Sequence, residues 1–243
     1  MKKLLSCGLL GLFILGLLVV PGSSQDAEEI LKRVIKAQGG RKLLESIKDV
    51  TTIADMEITQ MDITGSVTIY MKEPNRFRID IEFMGMIVTN AFDGETAWGT
   101  NPQTGMAEDM PEELAEVTKF SSFGNYALLD PVKYGIKYTY KGKENIEGKD
   151  YLVLDRVHSG GYTIVLYIDP ETYLIYKTKQ DSFDEMMTEI VEETIMSDYK
   201  KVEGVMTAHG LTVLRDGTEF GTLTVTDVKF NSGLKDSFFK KEE

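Results

Sequence analysis

The sequence predicts a mainly β fold with α elements: an antiparallel sheet of about eleven strands covered by helices. Apolar and polar residues alternate strictly in several short runs, most clearly in residues 76–83, as in strands with one apolar and one wet face. Turn signals such as Pro74-Asn75 and Asp93-Gly94 separate these runs, which are too closely spaced for helical crossovers between parallel strands. A twisted sheet of this size tends to curl and to form a concave side.

Residues 1–24 have the layout of a secretory signal peptide. Lys2 and Lys3 form a short positive region, an uncharged apolar run extends from Leu4 to Val20, and small residues follow. We therefore predict cleavage before Gln25 and a mature protein outside the cytosol. The apolar run is shorter than the roughly 20 residues that span a bilayer, so an uncleaved membrane anchor is the minor alternative.

Cys7 and the net charge argue against a lipidated N-terminus and against nucleic acid or anionic membranes as partners. Only Leu4 and Leu5 separate Cys7 from the lysines, so no apolar segment precedes it as a lipoprotein processing site requires, and we expect Cys7 to leave with the signal. Subtracting the two signal lysines from the 27 basic residues leaves 25 against 39 acidic ones, a net charge near −14. Such a charge disfavours nucleic acid and anionic membrane surfaces as partners.

Helices are predicted at two places in the mature chain. Apolar residues recur at three- and four-residue steps in 27–35, Gly39-Gly40 ends this helix, and residues 41–47 resume as a short one. A second helical segment begins with Pro111 and extends through two apolar stretches until Asp130-Pro131. These amphipathic segments predict a cover over the sheet.

Strands are predicted from residue 50 to residue 92 and again at 134–141, 150–157, 161–168 and 173–180. The strand at 161–168 is apolar at both parities, which predicts burial on both faces. Residues 185–197 fit a helix or a strand, and the neighbouring strands favour a strand. A final hairpin follows at 211–230, and the absence of a linker predicts one domain from residue 25 to residue 243.

The sequence offers little chemistry for catalysis. His158 and His209 each lack a second ligand at zinc-binding spacing. Asp155, His158 and Ser159 are too close along one strand and turn to form a hydrolytic triad. The acidic residues at 181–189 lack the pattern of a calcium loop. We predict a protein that is not an enzyme and has no cofactor or metal.

Methionine and other apolar residues of the predicted strands indicate a different function. The mature chain has eleven methionines, and methionine suits surfaces that accept variable apolar shapes. Ordinary filling of a solid core is the alternative explanation. If the curled sheet is hollow, the residues predicted to line its apolar ligand-binding cavity are Met56, Ile69, Met71, Phe77, Ile79, Ile81, Met84, Met86, Val88, Phe92 and Trp98.

Several segments resemble the periplasmic lipoprotein carriers of the LolA/LolB type, and in particular the outer-membrane lipoprotein-sorting proteins. The segments are Ala37–Gly40 with Leu43 and Ile47, Glu73–Arg78, Ala91–Trp98, Leu166–Thr172, Ser197–Tyr199, Val202–Val205 and Val228–Asn231. The resemblance covers nearly the whole mature chain, although the proline that such proteins commonly carry near Ala208-His209 is missing. It implies a strongly curved, half-open barrel with helices on its concave side and an apolar cavity for acyl chains.

Two functions are compatible with the sequence and this resemblance. The first is a periplasmic carrier or chaperone that shields the acyl chains of lipids or lipoproteins during outer-membrane lipoprotein sorting, with no stable insertion into the membrane after signal cleavage. The second is a non-catalytic envelope module with a filled core that binds a partner protein.

Overall fold

The computed structural model describes residues 24–101, 103–184 and 186–241, so the predicted signal peptide lies outside the described residues except for Ser24. The described chain begins with helices α1 (Ser24–Gln38) and α2 (Arg41–Ser46). The φ angles of Gly39 and Gly40 are +136° and +91°, a region open to glycine, and these residues end α1. The two predicted N-terminal helices are therefore confirmed.

The first half of the sheet follows directly. It consists of β1 (Asp49–Ile58), β2 (Ile63–Lys72), β3 (Arg76–Phe83), β4 (Met86–Phe92), β5 (Ala97–Thr100) and β6 (Ala107–Asp109). Helices α3 (Glu112–Ser121) and α4 (Tyr126–Leu129) come next, and a 3-10 turn spans Pro131–Tyr134. Asp130 ends α4 as predicted, although helical turns continue beyond it.

The second half of the sheet is longer and ends in two hairpins. Its strands are β7 (Ile136–Ile146), β8 (Lys149–His158), β9 (Thr163–Ile168), β10 (Ile175–Phe183), β11 (Glu189–Ser197), β12 (Lys200–Val202), β13 (Val205–Thr207), β14 (Gly210–Arg215) and β15 (Thr218–Phe230). The segment that fitted a helix or a strand forms β11. The hairpin β12–β13 has no counterpart in the sequence prediction.

Thirteen of these strands form one antiparallel sheet in the order β6-β5-β4-β3-β2-β1-β15-β14-β11-β10-β9-β8-β7, and β12 pairs only with β13. The predicted fold class is confirmed, with thirteen strands in the sheet in place of about eleven. The hairpin β14–β15 lies in the middle, where it joins β1 to β11. The sheet is not closed, because β6 and β7 are its two edges.

Helix α3 shows how strongly the sheet is curved. It contacts β4 and β5 on one side and β10 on the other. In the sheet order β10 is seven steps from β4, which would be about 34 Å on a flat sheet. A ten-residue helix is only about 15 Å long. The sheet must therefore curl around α3, which lies across the concave side.

The helices fill this concave side unevenly. Helix α1 buries its apolar stripe, including Ala27 and Val34, in a core with Leu154 and Leu166 of β8 and β9. Strand β9 is buried on its other face as well, where Tyr167 packs with Tyr151 and Val153. The prediction of two buried faces for this strand is therefore confirmed. No helix of the described chain combines the length and apolar character that crossing a membrane requires.

Candidate functional site

Nine of the eleven predicted cavity residues share one face of the sheet. Residues that pair directly across strands point to the same side. Met71 pairs with Phe77, which in turn pairs with Phe92. Val50, which pairs with Met71, packs against the core that contains Leu44 of α2, so this face is the concave one. The nine residues are Met56, Ile69, Met71, Phe77, Ile79, Ile81, Met86, Val88 and Phe92.

The apolar side chains of β3 are incompletely covered. Strand β3 is hydrogen-bonded on both sides, to β2 and β4, yet none of its eight residues is fully buried. Phe77, Ile79 and Ile81 belong to none of the four core clusters found among the described residues. The concave face of this half of the sheet therefore presents partly accessible apolar surface under the helical layer.

Trp98 and Met84 lie elsewhere. Trp98 pairs with Ala91, one position away from Phe92, and therefore faces the convex side. It is only 5% exposed, and its Nε1 donates to the Phe239 carbonyl over 2.8 Å. Met84, which was predicted to line the same cavity as Met86, lies in the β3–β4 turn with φ +52° and is 82% exposed.

The C-terminal segment that covers Trp98 is held by Asp49. The buried Asp49 carboxylate accepts hydrogen bonds from the backbone N–H groups of Ser232, Gly233 and Leu234, at 2.7, 3.1 and 3.3 Å. Arg78 extends this attachment, because its Nη1 donates to the Phe238 carbonyl over 3.2 Å. The convex side of β2–β5 is thus closed by the chain itself.

Two larger cavities lie in the other half of the molecule. One of about 650 Å³ lies between α1, α4 and β7, and its walls include Leu31, Leu128 and Tyr138. The second, of about 330 Å³, lies beneath the α3–α4 connection on β8–β10, and Leu128 lines it as well. None of the eleven predicted residues lines these two cavities, so the sequence located only part of the apolar interior.

The segment between α3 and α4 is attached to the β2–β3 turn. Ser122 Oγ donates to the Asn75 carbonyl over 3.0 Å. The Glu73 carboxylate accepts the N–H of Asn125 over 2.6 Å and that of Tyr126 over 3.4 Å. A Cβ atom at Gly124 would lie 2.6 Å from Glu73 Oε1, so glycine permits this close approach. Burial raises the pKa of Glu73 to about 7, although both backbone donors and Lys48 act in the opposite direction.

Arg156 attaches the other side of α3. Its Nη2 donates to the Phe120 carbonyl over 3.2 Å, which links β8 to the C-terminal end of α3. Neither Arg156 nor Glu73 is among the site residues that the sequence predicted. Arg156 lies on the same face of its strand as the buried Leu154. A charged residue at a position where the alternating pattern predicts an apolar one was therefore the signal in the sequence that could have identified Arg156.

His158 is the one buried histidine among the described residues. It is 3% exposed and packs against the rings of Phe120 and Phe123, with centroid distances of 4.7 and 5.5 Å. Burial, followed by the charge of Arg156, lowers the pKa of His158 to about 4, so it is neutral near pH 7. Within the described residues no group of histidine, cysteine or acidic side chains is arranged to hold a metal ion.

Comparisons with known proteins identify the fold. No protein-family model matches the sequence, and no curated protein matches it in sequence. Among solved structures, a domain described as an outer membrane lipoprotein-sorting protein from Vibrio parahaemolyticus is similar with a TM-score of 0.58 and 14% identity, over 90% of this chain and 98% of that one. A LolA superfamily protein from Nitrosomonas europaea has a TM-score of 0.59 and 14% identity, over 88% and 97% of the two chains.

A DUF1329 family protein from Desulfovibrio piger gives a similar result, with a TM-score of 0.57 and 14% identity over 88% of this chain and 97% of that one. Each likeness extends over nearly the whole of the compared chain. At this level of identity the comparisons show the fold alone. The chain has the LolA-like fold that its sequence segments resembled.

Proposed function

We propose that this chain, which has the LolA-like fold, is a periplasmic carrier that shields the acyl chains of lipids or lipoproteins on the concave side of its sheet. The observation that carries the proposal is the partly accessible apolar face of β3, which lies in the interior of the sheet and is still not buried. The predicted signal peptide and the description of the Vibrio parahaemolyticus domain as a lipoprotein-sorting protein support the proposed location and role.

The binding proposed here is non-covalent and reversible. Transfer of each CH₂ group of an acyl chain from water to an apolar surface contributes about 0.8 kcal/mol, so a long chain supplies enough free energy without any catalytic group. Methionines on the concave face, such as Met56 and Met71, can adapt to chains of different shape because their side chains are flexible and polarizable. Helix α3, which lies across the opening, would separate the chain from solvent.

A charge placed on the concave face tests the proposal. The purified mature protein is titrated with a fluorescent fatty-acyl probe and compared with Ile79→Glu, which places a carboxylate on the face proposed to contact the chain. We expect at least a tenfold loss of probe affinity in this variant. The matched control is Thr51→Glu, which places the same charge on the convex face opposite Lys229 and should leave the affinity unchanged.

The proposal is wrong if the wild-type protein binds no acyl probe and native mass spectrometry finds no co-purified lipid. That result would favour the second function, an envelope module that binds a partner protein. The β3–β4 hairpin supports this alternative, because Met84, Met86 and Ile87 are 82, 54 and 59% exposed at its tip. Such exposed apolar groups are typical of protein contact sites. The module would then capture a reproducible partner from envelope extracts.

A further inference from the structure

Three buried polar atoms on the concave side of β7 and β8 lie close together and make no hydrogen bond of good geometry within the part of the chain that the structure describes. They are Tyr138 OH, Arg156 Nε and His158 Nε2. Tyr138 pairs directly with Arg156 in the β7–β8 register, and Ile136, on the same face as Tyr138, pairs with His158. Buried polar atoms are almost always paired, and an unpaired group costs stability, so a cluster of them indicates a ligand or water site.

Arg156 makes this cluster electropositive. The described residues provide Arg156 with a backbone acceptor, the Phe120 carbonyl, but with no carboxylate in an ion pair. Aromatic rings surround the cluster, since His158 contacts Phe120, Phe123 and Tyr162. The side chain of Arg156 is half-buried, and such surroundings favour an anionic partner that offsets the loss of hydration of the guanidinium. The net charge of the whole protein is −12, so this local positive charge opposes the general field.

Arg156 also lines the 330 Å³ cavity beneath the α3–α4 connection. Most of the cavity wall is apolar, with Leu128, Ile164, Leu166 and Met196 among its residues. The cavity size lies within the range typical of small-molecule sites. It therefore combines a polar end that carries a cation with a wall suited to a hydrocarbon chain.

We infer that this cavity binds a single-chain amphiphile with an anionic carboxylate or phosphate head, the head on Arg156, which adjoins Tyr138 across the β7–β8 pair, and the chain along the apolar wall. The inference rests on the proposed function, specifies the ligand class and adds a site on the same concave side, in the half of the sheet away from β3. A guanidinium matches the planar oxygens of a carboxylate, or two oxygens of a phosphate, with parallel hydrogen bonds. The Tyr138 hydroxyl remains protonated and available as a donor, because burial raises its pKa to about 12. His158 adds no charge near pH 7.

Ligands matched in chain length and different in head group test the inference. Palmitate, hexadecyl phosphate and neutral hexadecanol are titrated against the full mature protein below their aggregation concentrations. We expect palmitate or hexadecyl phosphate to bind at least tenfold more tightly than hexadecanol, since hydrogen bonds to charged groups are the stronger ones. The better of the two anions identifies the head group. Inorganic phosphate alone should compete poorly, because it lacks the chain.

Three variants locate the head group. Arg156→Gln should lower the affinity for the preferred anion to that for hexadecanol and leave hexadecanol binding unchanged. Arg156→Lys should keep part of the preference, and Tyr138→Phe should weaken anion binding several-fold. The control is Arg215→Gln, which removes an arginine on the same face of the sheet, whose guanidinium lies 3.6 Å from the centroid of the Phe220 ring. This control should retain the preference.

The outcomes separate this inference from the proposed function. If the wild-type protein binds hexadecanol and both anions equally, or if Arg156→Gln keeps the preference, the inference is wrong and the carrier function stands. If none of the three ligands binds, the proposed function fails as well. If inorganic phosphate competes as well as hexadecyl phosphate, the site recognises a free anion and the amphiphile is excluded. Should Arg156→Gln fail to fold, Arg156→Lys and Tyr138→Phe decide the question.

Discussion

The wild-type protein should become less stable as the pH rises, and replacement of Glu73 by glutamine should abolish this effect. Burial raises the pKa of Glu73 from the ordinary value of 4.5 to about 7. Between these two values the folded protein holds a proton that the unfolded chain has released, so folding is favoured at low pH and stability falls as the pH increases. At about 1.4 kcal/mol per pKa unit, the loss amounts to about 3 kcal/mol by pH 8.

Urea unfolding at pH 5 and pH 8 measures this effect. Glu73→Gln keeps an oxygen that can accept the N–H of Asn125 and cannot ionise, so the variant should gain about 2 to 3 kcal/mol relative to the wild type between the two pH values. The difference between the two proteins matters here, because other groups such as His158 titrate equally in both. Glu57→Gln, which changes an exposed carboxylate on β1, is the matched control and should show no such gain.

The reasoning about Glu73 is refuted if the stability difference between wild type and Glu73→Gln is the same at pH 5 and pH 8. That outcome would mean that Glu73 is ionised in the folded protein at both pH values, with the two backbone donors and Lys48 outweighing its burial. A gain of similar size in Glu57→Gln would show that the effect reflects net charge and not the buried site.

Two further variants test the interior and the C-terminal segment. As the pH falls from 6.5 to 4, the wild-type protein should lose up to about 3 kcal/mol of stability, because His158 binds a proton in the unfolded chain and stays neutral in the folded protein. His158→Phe should not show this loss, and equal acid sensitivity of the two proteins in urea melts would contradict the prediction. Asp49→Asn should lower the free energy of unfolding by about 2 kcal/mol, because the backbone donors of residues 232–234 lose a charged acceptor. The fluorescence emission of Trp98, the sole tryptophan of the sequence, should shift to longer wavelength as the segment loosens. An unchanged emission spectrum would show that Asp49 does not hold the segment over Trp98.

The strands could be predicted from the sequence wherever alternation was long and regular. Residues 76–83 became β3 with the predicted bounds, and the two-sided apolar pattern of 161–168 was confirmed in β9. Trp98 illustrates the limit, because β5 has only four residues and so short a strand does not reveal which parity faces the helices. The order of strands was also beyond reach, since periodicity describes each strand and not its neighbours.

The candidate site was predictable in part. The concave face of β1–β4 followed from alternation, which placed Ile69, Ile79 and Ile81 together. The contribution of Arg156 depends on the α3–α4 connection folding back over β8, and that of Glu73 on two backbone donors about fifty residues further along the chain. Such tertiary contacts produce no periodic pattern in the sequence. For Arg156, the local violation of the apolar pattern was the visible sign, and violations of this kind tend to mark functional positions.

The central position of the β14–β15 hairpin has a consequence for biogenesis. Val50 pairs with Met71 on one side and with Phe230 on the other, so β1 obtains its second neighbour only after residues 218–230 have been synthesised. Contacts so distant in sequence slow folding, and until they form β1 and β11 expose edges to which other chains can add strands. Such a delay suits a chain that crosses a membrane unfolded, because the two halves of the sheet are joined only after the β14–β15 hairpin has been synthesised and has crossed as well.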